Sequence, residues 1–201
     1  MTSALTFPEG DRRAYRDLLR KIDAWFHRCR EAFPGKIPCG PGCTDCCRGL
    51  FDVTPLDRDL LLEGMAGLDG TARKDIRARA AAVLAGLRAS FPDLGGDLGG
   101  RSPAEIDRIC QEAGDVPCPA LGGDGRCRLY AHRPLLCRLE GLPLVDASGR
   151  IVHAEACRRC AVGVPEVPRL DFEALRREER RLLRRRPGPT LLIPQALSEG
   201  V

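Results

Sequence analysis

The chain has 201 residues, 43% of them apolar, with 30% charged residues and a net charge of +4. That is enough for one good core, or a core with a small annex, and it is too apolar for a disordered chain. Nearly all the positive charge is arginine, with three lysines, and so mild a basic excess disfavours nucleic acid as the partner.

Aromatics make up only 4%, so Leu, Ala, Val and Ile must build the core. Heavy Arg, Ala and Gly usage fits a high-GC bacterial genome. The N-terminal stretch MTSALTFPEGDRRAYRD has no apolar stretch of a secretory signal, and no run approaches the ~18 apolar residues of a membrane span. A cytoplasmic location is therefore expected, where thiols are kept reduced. Eleven cysteines under those conditions favour metal binding over disulfides, since the number is odd and the chain is large for a disulfide scaffold.

In chain order, residues 11–33 carry Tyr15, Leu18, Leu19, Ile22, Phe26, Cys29 and Phe33 at helical spacing, and Pro34-Gly35 stops the helix. A cysteine-rich loop occupies 36–49. Thr54-Pro55, with Asp57 at the third helical position, reads as a capped start for a helix over 55–66. A third helix is predicted over 71–90, and a flexible loop over 95–100. Ser102-Pro103-Ala104-Glu105 is a capping box opening a helix to about 113, with Cys110 on its apolar face.

From 116 to 168 helical periodicity fades. A hairpin is predicted across Gly122–Gly125, a short helix after Arg133-Pro134, and a second hairpin turning at Asp146–Gly149. A last helix runs from Asp171 to about 185, and PGPTLLIPQALSEGV reads as an extended surface arm. The fold class expected is mostly α, a single domain with irregular Cys-rich loops and one or two short β-hairpins. Within it, 1–35 is an N-terminal helix, 36–168 a cysteine-cluster metal-chelating domain with supporting helices, and 169–201 a C-terminal helix and tail.

Cys29 and Cys110 lie on helical apolar stripes and read as core. The other nine, Cys39, Cys43, Cys46, Cys47, Cys118, Cys127, Cys137, Cys157 and Cys160, all fall in the two Gly/Pro-rich regions. Thiols that merely fill a core should follow the helical period, and these avoid it. Ligation explains the pattern, because Cys-x2-Cys spacing lets one turn deliver two sulfurs to one ion, as at Cys43/Cys46 and Cys157/Cys160. Cys46 and Cys47 are adjacent, and neighbouring side chains diverge in regular structure, so Cys47 is expected to face a second metal, bridge two, or be a spare thiol.

The segments CGPGCTDCC and CPALGGDGRCRLYAHRPLLCR resemble the YkgJ-type cysteine-cluster family, a zinc- or iron-chelating domain. The matching positions are Cys39, Cys43, Cys46 and Cys47, then Cys118-Pro119 and Leu121, Cys127, Leu129 and Tyr130, and Arg133-Pro134, Cys137 and Arg138. The resemblance spans roughly 36–160 and implies chelation of zinc or iron. It leaves the flanking helices outside the pattern.

Three other readings stay open at this point. One is an iron–sulfur electron carrier or redox sensor, since all-cysteine ligation suits a cluster as well as zinc. Another is a radical S-adenosylmethionine enzyme, from Cys39-x3-Cys43-x2-Cys46, although Asp45 stands where such enzymes place an aromatic and the β/α units of a barrel are missing. The last is a zinc-ribbon-like nucleic-acid module, with RREERRLLRRR as its phosphate-binding helix. That segment reads first as a solvated face with internal Glu–Arg pairs. No catalytic set can be argued, so a non-enzymatic role is expected, with a metal ion as partner. His132 and His153 lie near the metal loops as optional ligands. Arg138 is placed to donate N–H groups to a thiolate-rich centre, while Tyr130 and Arg133 shape the loop around it.

Overall fold

The computed structural model of the chain describes residues 8–94, 96–164 and 166–198. The N-terminal seven residues, Gly95 of the loop expected over 95–100, and the end of the tail lie outside the described residues. In chain order the elements are α1 (Glu9–Ala32), β1 (Asp52–Val53), α2 (Pro55–Ala66), α3 (Gly70–Ser90), α4 (Pro103–Ala113), α5 (Leu135–Leu139), β2 (Leu144–Val145), β3 (Ile151–His153), α6 (Phe172–Arg185), β4 (Leu191–Leu192) and α7 (Ile193–Ser198). The protein is mostly helical, with two small antiparallel ladders, as the sequence led us to expect. No described helix is long and apolar enough to cross a membrane.

The helix boundaries follow their caps. Thr54 accepts from the Asp57 amide and Asp57 answers to the Thr54 amide, a closed capping box with Pro55 at the first position. Ser102 and Glu105 repeat the device at α4, and Asp69 caps α3 through the Ala72 amide.

Two compact units emerge, each assembled from two stretches of chain: Met1–Pro38 with Gly141–Pro187, and Cys39–Glu140 with Gly188–Val201. In the first, α1 packs along α6. The stripe Tyr15, Leu18, Leu19, Ile22 and Cys29 is buried as the period requires, joined by Trp25, whose indole N–H donates to the Pro168 carbonyl at 2.6 Å. Lys21 pairs with Glu178 at 2.6 Å, and Asp11 pairs with Arg185. The β2–β3 hairpin turns at Asp146–Gly149 as expected, with Gly149 at φ +89°. Asp146, 5% exposed, folds under this turn and accepts from the Phe172 and Glu173 amides at the start of α6.

The second unit holds two apolar clusters. One gathers Val53, Leu61, Met65, Ile76, Ala80, Ala120 and Leu129 with Leu191, Ile193, Ala196 and Leu197; the other gathers Leu50, Leu84, Leu87, Leu98 and Ile109 around Leu192. The tail is therefore not the extended surface arm the sequence suggested. β4 pairs with β1 in the register Asp52↔Leu192 and Val53↔Leu191, and α7 packs on α2 and α3. Burying five apolar side chains outweighs any preference of this Pro/Gly-flanked segment for solvent. Gln195 turns its Oε1 back to the Leu192 amide at 2.7 Å, closing the α7 entrance.

Candidate metal centre

The first cysteine loop is shaped by glycine. Gly42 takes φ +95°, a conformation costly for other residues, and the Cys43 amide closes a turn on the Gly40 carbonyl at 3.0 Å. A single 3-10 turn, Asp45–Cys47, follows. Here the sequence expectation that neighbouring thiols diverge needs correction. The Cys47 thiol donates to the Cys46 sulfur, because the two lie in a single 3-10 turn that ends at once at Arg48.

The end of that turn meets the second cysteine region directly. The Cys118 amide donates to the Cys47 carbonyl at 2.8 Å, and Arg48 pairs antiparallel with Pro117. The Arg48 guanidinium grips both oxygens of Asp115, at 2.6 and 2.7 Å, a two-pronged ion pair on the outside of the same junction. Two cysteines far apart in sequence thus become backbone neighbours.

Beyond the junction the chain wraps its own amides around sulfur. The Ala120 amide donates to the Cys118 sulfur and the Leu121 amide to the Cys118 carbonyl at 2.9 Å, while the Leu129 amide donates to the Cys127 sulfur. The hairpin expected over this stretch reduces to one bridge, Leu121↔Cys127, with a tight turn at Gly122–Gly125. The strand cannot lengthen, because the residues after Cys127 turn back toward its sulfur and then enter the 3-10 turn Tyr130–His132.

Cys137 arrives from a third direction, on α5. That short helix has no cap of its own. Its first amide, Leu135 N–H, instead donates at 2.8 Å to Oδ1 of Asp57, whose Oδ2 accepts from the Thr54 amide at 3.2 Å and the Thr54 hydroxyl at 3.0 Å. One buried carboxylate, 3% exposed, therefore ties the start of α2 to the helix that carries Cys137. On the neighbouring turn His132 lies so close to Gly64 of α2 that an added Cβ would stand 2.8 Å from its ring.

Electrostatically, five thiols form one neighbourhood. Cys137 is held well above the ordinary thiol range by burial first, then by the charges of Cys118, Asp57, Cys46 and Cys127. Burial raises Cys118 to about 11 and also raises Cys127, against the pull of their amide donors. Cys46 goes the other way, to about 7, chiefly because Cys47 donates to it, and Cys47 is raised in return. Arg133 lowers both Cys46 and Cys127. It stacks 3.8 Å over the Tyr130 ring and donates to the Tyr130 carbonyl. Arg138, expected to face the sulfurs, donates to the carbonyls of Arg133 and Ala131 and so braces the loop that holds Arg133.

Cys39 and Cys43 lie half-buried upstream on the first loop. Cys157 and Cys160 belong to the other compact unit, where the Cys160 amide closes a turn on the Cys157 carbonyl at 2.7 Å. His153 is exposed on β3, and His132 approaches Glu63 at 3.7 Å. Cys29 and Cys110 are core thiols, each raised by burial to about 11. No disulfide forms, and no three His, Cys, Asp or Glu side chains among the described residues stand in ready coordinating geometry.

A family model described as "Putative zinc- or iron-chelating domain", CxxCxxCC, matches residues 38–158. The chain belongs to this family. The matched span takes in all five neighbouring thiols and Cys157, and stops before Cys160. The family label puts two residues between its first two cysteines, whereas three separate Cys39 from Cys43 here. No curated protein and no solved structure matches the chain.

The donor set of this chain fits the group its family implies. Sulfur alone suits zinc and iron, and amides already aimed at Cys118 and Cys127 favour their thiolates. Sequence reading named all five thiols. It missed Asp57 as the anchor of α5, because its partner is a backbone amide 78 residues away, which no side-chain pattern records.

Proposed function

We propose that the protein binds zinc or iron through Cys46, Cys118, Cys127 and Cys137, with Cys47 as an adjoining fifth thiol. Cys39 and Cys43 serve as further donors on the same loop. The observation carrying this is the Cys47–Cys118 backbone bond, which joins two sequence-distant cysteine regions where Cys118, Cys127 and Cys137 pack against one apolar cluster. Four thiolates match the ligand number of a structural zinc site or a cluster. A bound ion would favour the thiolate form against the burial that now keeps Cys118, Cys127 and Cys137 protonated, and Arg133 acts in the same direction on Cys46 and Cys127.

Because the ligands come from sequence-distant loops, binding and folding should reinforce one another. The test is elemental analysis and a visible spectrum of protein purified under reducing, oxygen-free conditions, followed by melting with and without a strong chelator. We expect zinc or iron in the isolated protein, a chelator-dependent fall in melting temperature, and loss of metal in Cys118→Ser and Cys137→Ser but not Cys29→Ser. Material that carries neither metal, or melts identically in chelator, overturns the reading.

A further inference from the structure

The charge of this protein is unevenly divided. The unit formed by residues 1–38 and 141–187 has 19 Lys and Arg against 12 Asp and Glu, a net +7; the other unit has 13 against 16, a net −3. Much of the excess sits on α6. Arg177, Arg180, Arg181 and Arg184 are exposed and fall at i, i+3, i+4 and i+7. At 3.6 residues per turn they form one stripe, opposite the buried Leu175, Glu179 and Leu182.

The acidic residues of α6 do not neutralise that stripe. Glu173 pairs with Arg150, Glu178 with Lys21 of α1, and Glu179 with Arg176, so only the last is the internal Glu–Arg pair the sequence suggested. Among the described residues, Arg177, Arg180, Arg181 and Arg184 make no ion pair or side-chain hydrogen bond. Like charges at these spacings work against the helix that carries them, which a purely structural role does not explain.

We infer that the outward face of α6 binds the phosphate backbone of double-stranded nucleic acid. Four guanidiniums within about 10 Å of helix axis match a dense, regular anion, and arginine grips phosphate with two N–H groups. An anionic membrane fits less well, since interfacial helices need a free apolar face and Leu175 and Leu182 are buried against the unit's own core. No aromatic residue lies on the stripe, so contact is to backbone and is independent of sequence.

The experiment titrates the full-length protein into fluorescent duplex DNA and duplex RNA of arbitrary sequence across a salt series. It is repeated with a variant carrying Arg177→Ala, Arg180→Ala, Arg181→Ala and Arg184→Ala. These exposed changes favour helix, and circular dichroism confirms the fold. We expect a log–log salt slope of about −3 to −4 for four phosphates, and in the variant an affinity at least tenfold weaker with a nearly flat slope. Whether DNA or RNA binds more tightly identifies the duplex. No binding at low salt, an unchanged affinity and slope in the variant, or tighter binding to phosphatidylglycerol vesicles than to either duplex overturns the assignment.

Discussion

Removing the Asp57 carboxylate is the sharpest probe of how the fold delivers Cys137. Asp57→Ala strips the acceptor from Leu135 N–H at 2.8 Å and from the Thr54 amide and hydroxyl, in a site only 3% open to solvent. A buried donor left unpaired costs about 1–3 kcal/mol, and loss of half a capping box adds roughly 1 kcal/mol. The expected destabilisation is therefore about 2–4 kcal/mol, a large share of the ~5–15 kcal/mol that holds a domain together. Asp57→Asn keeps one oxygen for one of the two sites and should cost roughly half as much.

Urea unfolding of the metal-free, reduced protein, followed by circular dichroism, measures this. Alkylation of individual cysteines, read by mass spectrometry, supplies the local readout. Both variants remove a negative charge that raises the Cys137 thiol, so both should speed its modification. Only the alanine variant also frees α5, so it should speed Cys137 beyond the asparagine variant while Cys29 stays unchanged. Equal stability of Asp57→Ala and wild type, or equal Cys137 reactivity in the two variants, would refute the anchoring role.

Leu197→Ala, at a side chain with 0% exposure, should cost about 2–5 kcal/mol in the same urea assay, and a negligible change would restore the surface-arm picture of the tail. Gly64→Ala should destabilise despite a helix-propensity gain of about 1 kcal/mol, because the new Cβ stands 2.8 Å from His132; in a His132→Ala background the same change should stabilise. In the metal-free protein Cys46 should be the first of the five thiols to react with iodoacetamide, its rate rising with pH to a midpoint near 7; Cys47→Ala should move that midpoint upward. Burial alone would raise the Asp146 carboxyl, but the amide donors of Ala147, Glu173 and Phe172 and the Ser148 hydroxyl together outweigh it and hold it below the usual carboxylate range. Its contribution is full above the unfolded pKa and fades as pH falls through the folded one, so Asp146→Asn should lower stability at neutral pH and flatten the acid limb of the profile.

Helices declared by a cap at one end and a Gly or Pro at the other were legible in the sequence. Thr54 with Asp57, and Ser102 with Glu105, placed α2 and α4 almost to the residue. The tail was not legible, because Leu191-Leu192-Ile193 is too short for its period to distinguish strand from helix, and Pro194 argued against both. What decides its structure is β1, more than a hundred residues earlier, whose open edge accepts it. The helical period marked Cys29 and Cys110 as core thiols, but it did not show that Cys160 is also buried or that Cys118, Cys127 and Cys137 pack against an apolar cluster. That the 39–47 loop meets Cys118, Cys127 and Cys137 is the sequence expectation; the contacts that join them, the Cys47–Cys118 backbone bond and the anchoring of α5 by Asp57, leave no side-chain pattern to read.

Those two links also explain why the thiols lie near one another before any ion is considered. Each is a contact of backbone or carboxylate, none uses sulfur, and each is fixed by an element that folds for its own reasons: the Arg48–Asp115 latch outside the first, the α2 capping box beneath the second. The scaffold thus brings Cys46, Cys47, Cys118, Cys127 and Cys137 together, with burial holding Cys118, Cys127 and Cys137 protonated while the Cys47 donor lowers Cys46. Thiols held protonated by burial release those protons when a cation takes their place. Proton release on titrating zinc into the metal-free protein should accordingly fall in Asp57→Ala, even though that variant keeps every cysteine.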